Sequence, residues 1–255
     1  MYHCFTENIG ETSVTITGPD VNHIRNVLRM HEGEDIYVSD GHGRNVLAAI
    51  SSVTQDEITA DILMENAADT ELPVDIVLYQ GLPKADKMEL IIQKCVELGA
   101  SRIVPVRTSR CIVKLDDRSA AKKVERWQKI AESAAKQSQR GIIPVISPVL
   151  SYSDALQDAQ KLDTAVIPYE HSSDSHTLLT LLGGSQVRQN SSIGIFIGPE
   201  GGFEESEVIK AAQAGIKPVT LGKRILRTET AGMALIAAIM LSIEAYDEQT
   251  DQTES

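Results

Sequence analysis

The sequence predicts an α/β protein in two parts: a small β-rich unit, then a larger domain built on a parallel sheet. Three observations predict it. Up to about residue 70, short runs of strand composition are separated by turn residues. From Val74 onward, strand-like and helix-like runs alternate, as in a parallel sheet buried on both faces. Between them, MENAADTELP (Met64 to Pro73) reads as a linker. The expected divisions are residues 1–72, 73–246 and a short acidic tail, 247–255.

In the first part, SVTIT (from Ser13), EDIYVSD (from Glu34), NVLAAI (from Asn45) and EITADIL (from Glu57) are the expected strands. DGHG, Asp40 to Gly43, is a hairpin turn, because glycine supplies the positive φ such turns need. One helix interrupts the strands. Asp20 is its expected cap, and Val21, Ile24, Val27 and Leu28 share its apolar face. The spacing suggests a small barrel.

In the second part VDIVLYQ is a strand, and DKMELIIQKCVELG is a helix ending at Gly99. RIVPV is a strand, followed by a long helix with Val124, Trp127, Ile130 and Ala134 on one stripe. PVISPVL is a strand, and SYSDALQDAQ opens with a Ser151/Asp154 capping box. TAVIP, SIGIFI and KPVTL complete the strands, and the apolar run Met233 to Ile243 reads as a packed helix.

That run is about half the length of a membrane span, so no membrane partner is expected. The N-terminus resembles neither a signal peptide nor a transit sequence. Cys4, Cys95 and Cys111 form no CxxC pair, and the expected compartment is the cytoplasm. His171 and His176 lack a third ligand at metal spacing, so no metal is expected. His23 and His31 read as surface or packing residues. Net charge is −12, yet Arg102 to Arg140 holds eleven Lys and Arg against four Asp and Glu. A local basic stripe is what phosphate contact requires, although a solvated helix face has the same composition.

Two late stretches carry the candidate chemistry. IGPEGGF, Ile197 to Phe203, joins a strand to a helix. It lacks the lysine of a phosphate-binding P-loop, and it lies too late for a dinucleotide fingerprint. Glu200 would repel a polyphosphate but suits a neutral or cationic ligand, and the glycines let backbone approach a flat ring. A bare βα turn fits equally well. The second stretch is LGKRILRTETA, Leu221 to Ala231. Both leave the carboxyl ends of strands, where ligand crevices of α/β sheets lie. Arg227 and Glu229 flank the start of the last helix, as functional groups or as an ion pair at its cap.

Taken together, IGPEGGF and LGKRILRTETA resemble the ribosomal RNA small subunit methyltransferase E family. NHIRNVLRM, KADKMELIIQKCVELGASRIVPV and ERWQKIAESAAKQSQR are similar to further blocks of that family, so the likeness covers nearly the whole chain. Glu204 departs from the Ser common after the glycine loop, which bears only on how the next helix is capped.

The resemblance implies a SPOUT-type methyltransferase domain with a C-terminal trefoil knot, and an N-terminal PUA-like β-barrel that binds RNA. It implies S-adenosyl-L-methionine as cofactor, a homodimer, and methylation of N3 of one uridine in 16S ribosomal RNA of the small subunit. The cofactor walls would be Pro168, Tyr169, Ile197, Gly198, Pro199, Glu200, Gly201, Gly202, Leu221, Gly222, Ile225, Leu226 and Arg227.

For catalysis the expected residues are Arg227, to stabilise negative charge on the base, with Glu229 or Glu200 as proton acceptor. Phosphate contacts are expected from Arg25, Arg29, Arg107, Arg110, Lys114, Lys122, Lys123, Arg126 and Arg140. Two rival readings are another SPOUT enzyme acting on transfer RNA or a ribose 2′-hydroxyl, and a noncatalytic ribosome-assembly factor that binds RNA.

Overall fold

The computed structural model describes residues 1–66, 70–169, 176–177 and 190–251. The chain forms two compact units. The first holds Met1–Glu71 together with Ala135–Ile143, and the second holds Leu72–Ala134 with Pro144–Ser255. A single boundary at residue 72 therefore leaves out a return segment that belongs to the first unit.

The first unit is a five-stranded sheet in the order β1-β3-β4-β5-β2. Its strands are β1 (Tyr2–Phe5), β2 (Ser13–Thr17), β3 (Asp35–Ser39), β4 (Asn45–Val53) and β5 (Glu57–Glu65). β1 was not expected from the sequence; it is four residues long and pairs parallel with β3. The residues after β1 bend round to β2: the Thr15 amide donates to Asn8 O (3.0 Å), and Ile9 bridges Val14. This contact brings the two edge strands together in the manner of a barrel. Alternate residues Val14, Ile16, Ile36, Val38, Val46 and Ala48 are fully buried inside it. Asp40 Oδ1 accepts from the amides of His42 and Arg44, and Gly41 and Gly43 have φ of 79° and 118°, so the DGHG turn forms as expected.

The expected helix here takes another form. α1 (Pro19–Asn22) is one turn, and His23–Leu28 continues as a π-helix. The wider π turn breaks the 3.6-residue period, so Val27 and Leu28 are 60% and 42% exposed. Asp20 does not cap it; its carboxylate accepts from Tyr2 Oη (2.9 Å) and pairs with Lys136. The supposed linker is also fixed at its end: Glu71 receives Arg140 Nε (3.1 Å) and the Ile142 amide (3.2 Å).

The second unit is an all-parallel sheet in the order β11-β13-β10-β12-β6-β7-β8, with β9 also paired to β7. Its strands are β6 (Val74–Gly81), β7 (Arg102–Arg107), β8 (Val145–Ile146), β9 (Leu150–Ser151), β10 (Thr164–Pro168), β11 (His176–Thr177), β12 (Ser191–Ile197) and β13 (Lys217–Thr220). PVISPVL splits into β8 and β9 at Ser147–Pro148. Helices α2 (Lys87–Glu97), α3 (Asp117–Gln137), α4 (Tyr152–Ala159), α5 (Glu205–Gln213) and α6 (Thr228–Asp251) accompany the strands. The Ser151 side chain caps α4 by accepting from the Asp154 amide (3.1 Å). The expected acidic tail is helical as far as Asp251, and 252–255 lie outside the described residues. So does His171.

Near-continuous apolar strands build the core, as burial on both sheet faces requires: seven of the eight residues from Val74 to Gly81 are buried, all but Asp75. Tyr79 stacks on Phe196 with centroids 4.4 Å apart, joining β6 to β12. Among the described residues no helix is long and apolar enough to cross a membrane.

Candidate functional site

The carboxyl ends of neighbouring strands β13, β10, β12 and β6 lie side by side, and the segments leaving them enclose a hollow of about 720 Å³. Gly198–Phe203 forms one wall and Leu221–Arg227 another, with Pro168 and Tyr169 between them. The Tyr169 amide donates to Val219 O (3.0 Å), which fixes that middle wall to β13. All the wall residues expected from the sequence line this hollow.

The glycine loop needs its glycines for two separate reasons. A Cβ on Gly198 would stand 2.9 Å from the Gly202 carbonyl carbon, so any side chain would force the loop open. Gly202 has φ 66°, in the left-handed region. The loop then enters α5, where Glu207 Oε2 accepts from the Glu204 amide (2.9 Å). Glu207 is buried, and its other oxygen accepts from the Ser109 amide (2.8 Å).

Thr228 ties the two bends together. Its hydroxyl donates to Gly198 O (2.6 Å) and accepts from Gln80 Nε2 on β6 (2.9 Å). A second tie is electrostatic. Lys87, at the start of α2, lies 3.1 Å from Glu200 Oε1 and 3.3 Å from Glu229 Oε2. The Lys84 amide also donates to Glu200 (3.1 Å). Burial opposes ionisation of Glu200, but these donors outweigh it and hold the carboxyl below the usual range. Glu229 is held low first by its own backbone amide, at the N-terminus of α6, and then by Lys87 and Arg227 against its burial.

Arg227 is exposed and lines the hollow, as does Glu200; Glu229 stands behind them, paired with Lys87. Sequence reasoning missed Lys87 and Thr228. It placed Arg110 only with the RNA contacts, whereas Arg110 lines the hollow and donates from Nη1 to Gly201 O (2.8 Å). Knowledge of strand order would have found Lys87, since the β6 end adjoins the β12 end.

The basic stripe divides by environment. Lys114 and Lys122 are exposed. Lys123 lies over the Trp127 ring (5.8 Å), Arg126 pairs with Glu89 (2.8 Å), and Arg107 reaches Asp117 (3.3 Å). Arg140 is 4% exposed and holds Glu71, so its guanidinium is a structural group of the first unit and not a phosphate contact. Arg25 and Arg29 are exposed on the first unit, Arg29 at φ 57° where the π-helix ends.

Comparison with known proteins bears directly on this site. A model of the RNA methyltransferase domain matches residues 70–240, and a model of the RNA methyltransferase PUA domain matches residues 16–63. The chain is 40% identical to ribosomal RNA small subunit methyltransferase E of Bacillus subtilis over 231 residues, 90% of each chain. It belongs to the ribosomal RNA small subunit methyltransferase E family. The member from Synechocystis is 32% identical over 242 residues, 94% of this chain and 76% of the relative. Among solved structures, family member ribosomal RNA small subunit methyltransferase E from Neisseria gonorrhoeae, bound to S-adenosyl methionine, superposes with a TM-score of 0.78 at 37% identity. The match covers 94% of this chain and 96% of that one.

Proposed function

We propose that this chain transfers a methyl group from S-adenosylmethionine to N3 of a uridine in 16S ribosomal RNA. The observation that carries the proposal is the meeting of two glycine-bearing bends around one hollow. The hollow has room for an adenosine and a methionyl chain, and its backbone walls suit a flat ring. In the reaction the sulfur–methyl bond breaks with its electrons going to sulfur, the N3–methyl bond forms, and the N3 proton is released.

Negative charge spreads from N3 onto the uracil oxygens before or during transfer. Arg227, exposed at the rim, supplies the cation that stabilises it. Glu200 and Glu229 are poor proton acceptors because their acidity is raised and Lys87 already engages both. Water in the mouth of the site is the better acceptor.

Lys114 and Lys122 supply phosphate contacts on the second unit, and Arg25 and Arg29 on the first. A homodimer fits helix α6, which buries Leu235, Ile236 and Ile239 yet also exposes Leu241, while Leu90 on α2 is 44% exposed. The trefoil knot is supported by the chain path. From β13, outside β10 in the sheet, the chain returns through 221–227 to pack α6 on α2, β6 and β12. Such an enzyme works where ribosomes are assembled, in the cytoplasm.

The test is methyl transfer from labelled S-adenosylmethionine to purified small subunits, with mapping of the modified nucleotide. Label at N3 of one uridine is expected; label in transfer RNA or on a ribose would support the rival enzyme. No transfer, and no binding of the donor, would leave a noncatalytic RNA-binding factor.

A further inference from the structure

Lys87 was not part of the sequence-derived site, and the family comparison assigns it nothing. Its position is nevertheless specific. It begins α2, directly after the turn that leaves β6. Its ammonium reaches one carboxylate from each of the two bends that form the hollow: Glu200 at 3.1 Å and Glu229 at 3.3 Å. The neighbouring Lys84 amide donates to the same Glu200 oxygen, so the turn holds that bend by backbone and by side chain. Ala85 in this turn has φ 52°, a conformation that costs a residue with a Cβ and that the surrounding contacts must maintain. The turn also lies against the loop: a Cβ on Gly81 would stand 2.7 Å from the Pro199 ring.

We propose that Lys87 is a positioning residue that latches both bends around the methyl donor, an inference that rests on the function proposed above. The two carboxylates stand 29 residues apart in the chain, Glu200 on the glycine loop and Glu229 in the first turn of α6, directly after the second bend. Without the ammonium they would repel one another and the bends would separate. With it, the donor meets walls already in place and loses less affinity to ordering them. Both pairs are partly shielded, with side-chain exposures of 34% for Lys87, 29% for Glu200 and 15% for Glu229. The contribution is therefore modest.

The experiment measures donor binding by calorimetry, and kcat and KM for donor and RNA, in the parent, Lys87→Met, Lys87→Arg and the cycle with Glu229→Gln. Lys87→Met is expected to weaken donor binding about tenfold, the effect of two partly shielded ion pairs. KM for RNA and kcat at saturating donor should stay within about threefold of the parent, and Lys87→Arg should restore most of the affinity. In the cycle, Glu229→Gln should weaken binding in the parent background but restore part of the lost affinity in Lys87→Met, where it removes the repulsion between the carboxylates. A parent that binds while Lys87→Met binds equally well overturns the latch alone. Equal loss of kcat and affinity without rescue by arginine also overturns it, as does full additivity in the cycle. A parent that binds no S-adenosylmethionine overturns the proposed function itself.

Discussion

Replacing Thr228 with valine tests whether the two bends form one structure. The side chains have nearly the same shape, so the change removes little but the hydroxyl. Two hydrogen bonds go with it, from the hydroxyl to Gly198 O (2.6 Å) and from Gln80 Nε2 to the hydroxyl (2.9 Å). Each contributes about 0.5–1.5 kcal/mol net, and a buried group left unpaired costs about 1–3 kcal/mol. Thr228 is 6% exposed and Gln80 is fully buried, so solvent cannot take over both roles. Nor can the Gln80 amide turn to compensate. Its Nε2 also donates to Gly81 O (2.9 Å), and its Oε1 has no partner among the described residues. The expected loss is about 2–3 kcal/mol, equivalent to roughly 5–10 °C in Tm for a unit of this size. Scanning calorimetry reads it directly. Thr228→Ser keeps the hydroxyl and should stay within about 2 °C of the parent. A valine variant melting within about 1 °C of the parent, with unchanged donor affinity, would refute the tie between the bends.

Three further outcomes follow from other parts of the molecule. Glu71→Gln removes the charge that faces the nearly buried Arg140 and should destabilise the first unit by about 3 kcal/mol, read as a lower urea midpoint. His3 is buried against Ser39 (2.7 Å), and burial is the largest cause holding its imidazole below the usual 6.5. The unfolded chain then binds a proton that the native state refuses, so stability should fall as pH drops below 6.5, and His3→Gln should flatten that slope. Burial pushes the Cys4 and Cys95 thiols up to about 12, so a thiol reagent at pH 8 should modify Cys111 first and reach the other two only on unfolding.

Much of this architecture was legible because the local signals agreed with the tertiary ones. Strands buried on both faces, such as Val74–Gly81 and Ser191–Ile197, read as continuous apolar runs whatever their neighbours. The two bends were legible for the same reason, since glycine clusters after a strand mark close backbone approach. The failures have a common physical origin too. The helix at Pro19–Leu28 was misread because the apolar period matches an ordinary α-helix, while the contacts of Asp20 with Tyr2 and Lys136 help shape a short turn and a π segment instead. Arg140 looked like one more cation in a basic run; only the fold brings Glu71 to it across 69 positions of sequence.

The same distinction explains which parts of the hollow leave a trace in the sequence. Its walls are backbone, and backbone geometry leaves a trace in the sequence as glycine and proline. Its fastenings are side-chain pairs between distant segments: Thr228 with Gly198 and Gln80, Lys87 with Glu200 and Glu229, Arg110 with Gly201. Such pairs depend on strand order, in which β12 lies between β10 and β6 although 116 positions separate Gly81 and Ile197, the ends of β6 and β12, in the chain. Glu200 and Glu229 show the consequence. As single letters beside a ligand loop they invite the role of base. Once Lys87 is seen between them, their lowered pKa values and fixed positions suit holding the walls together better than taking a proton.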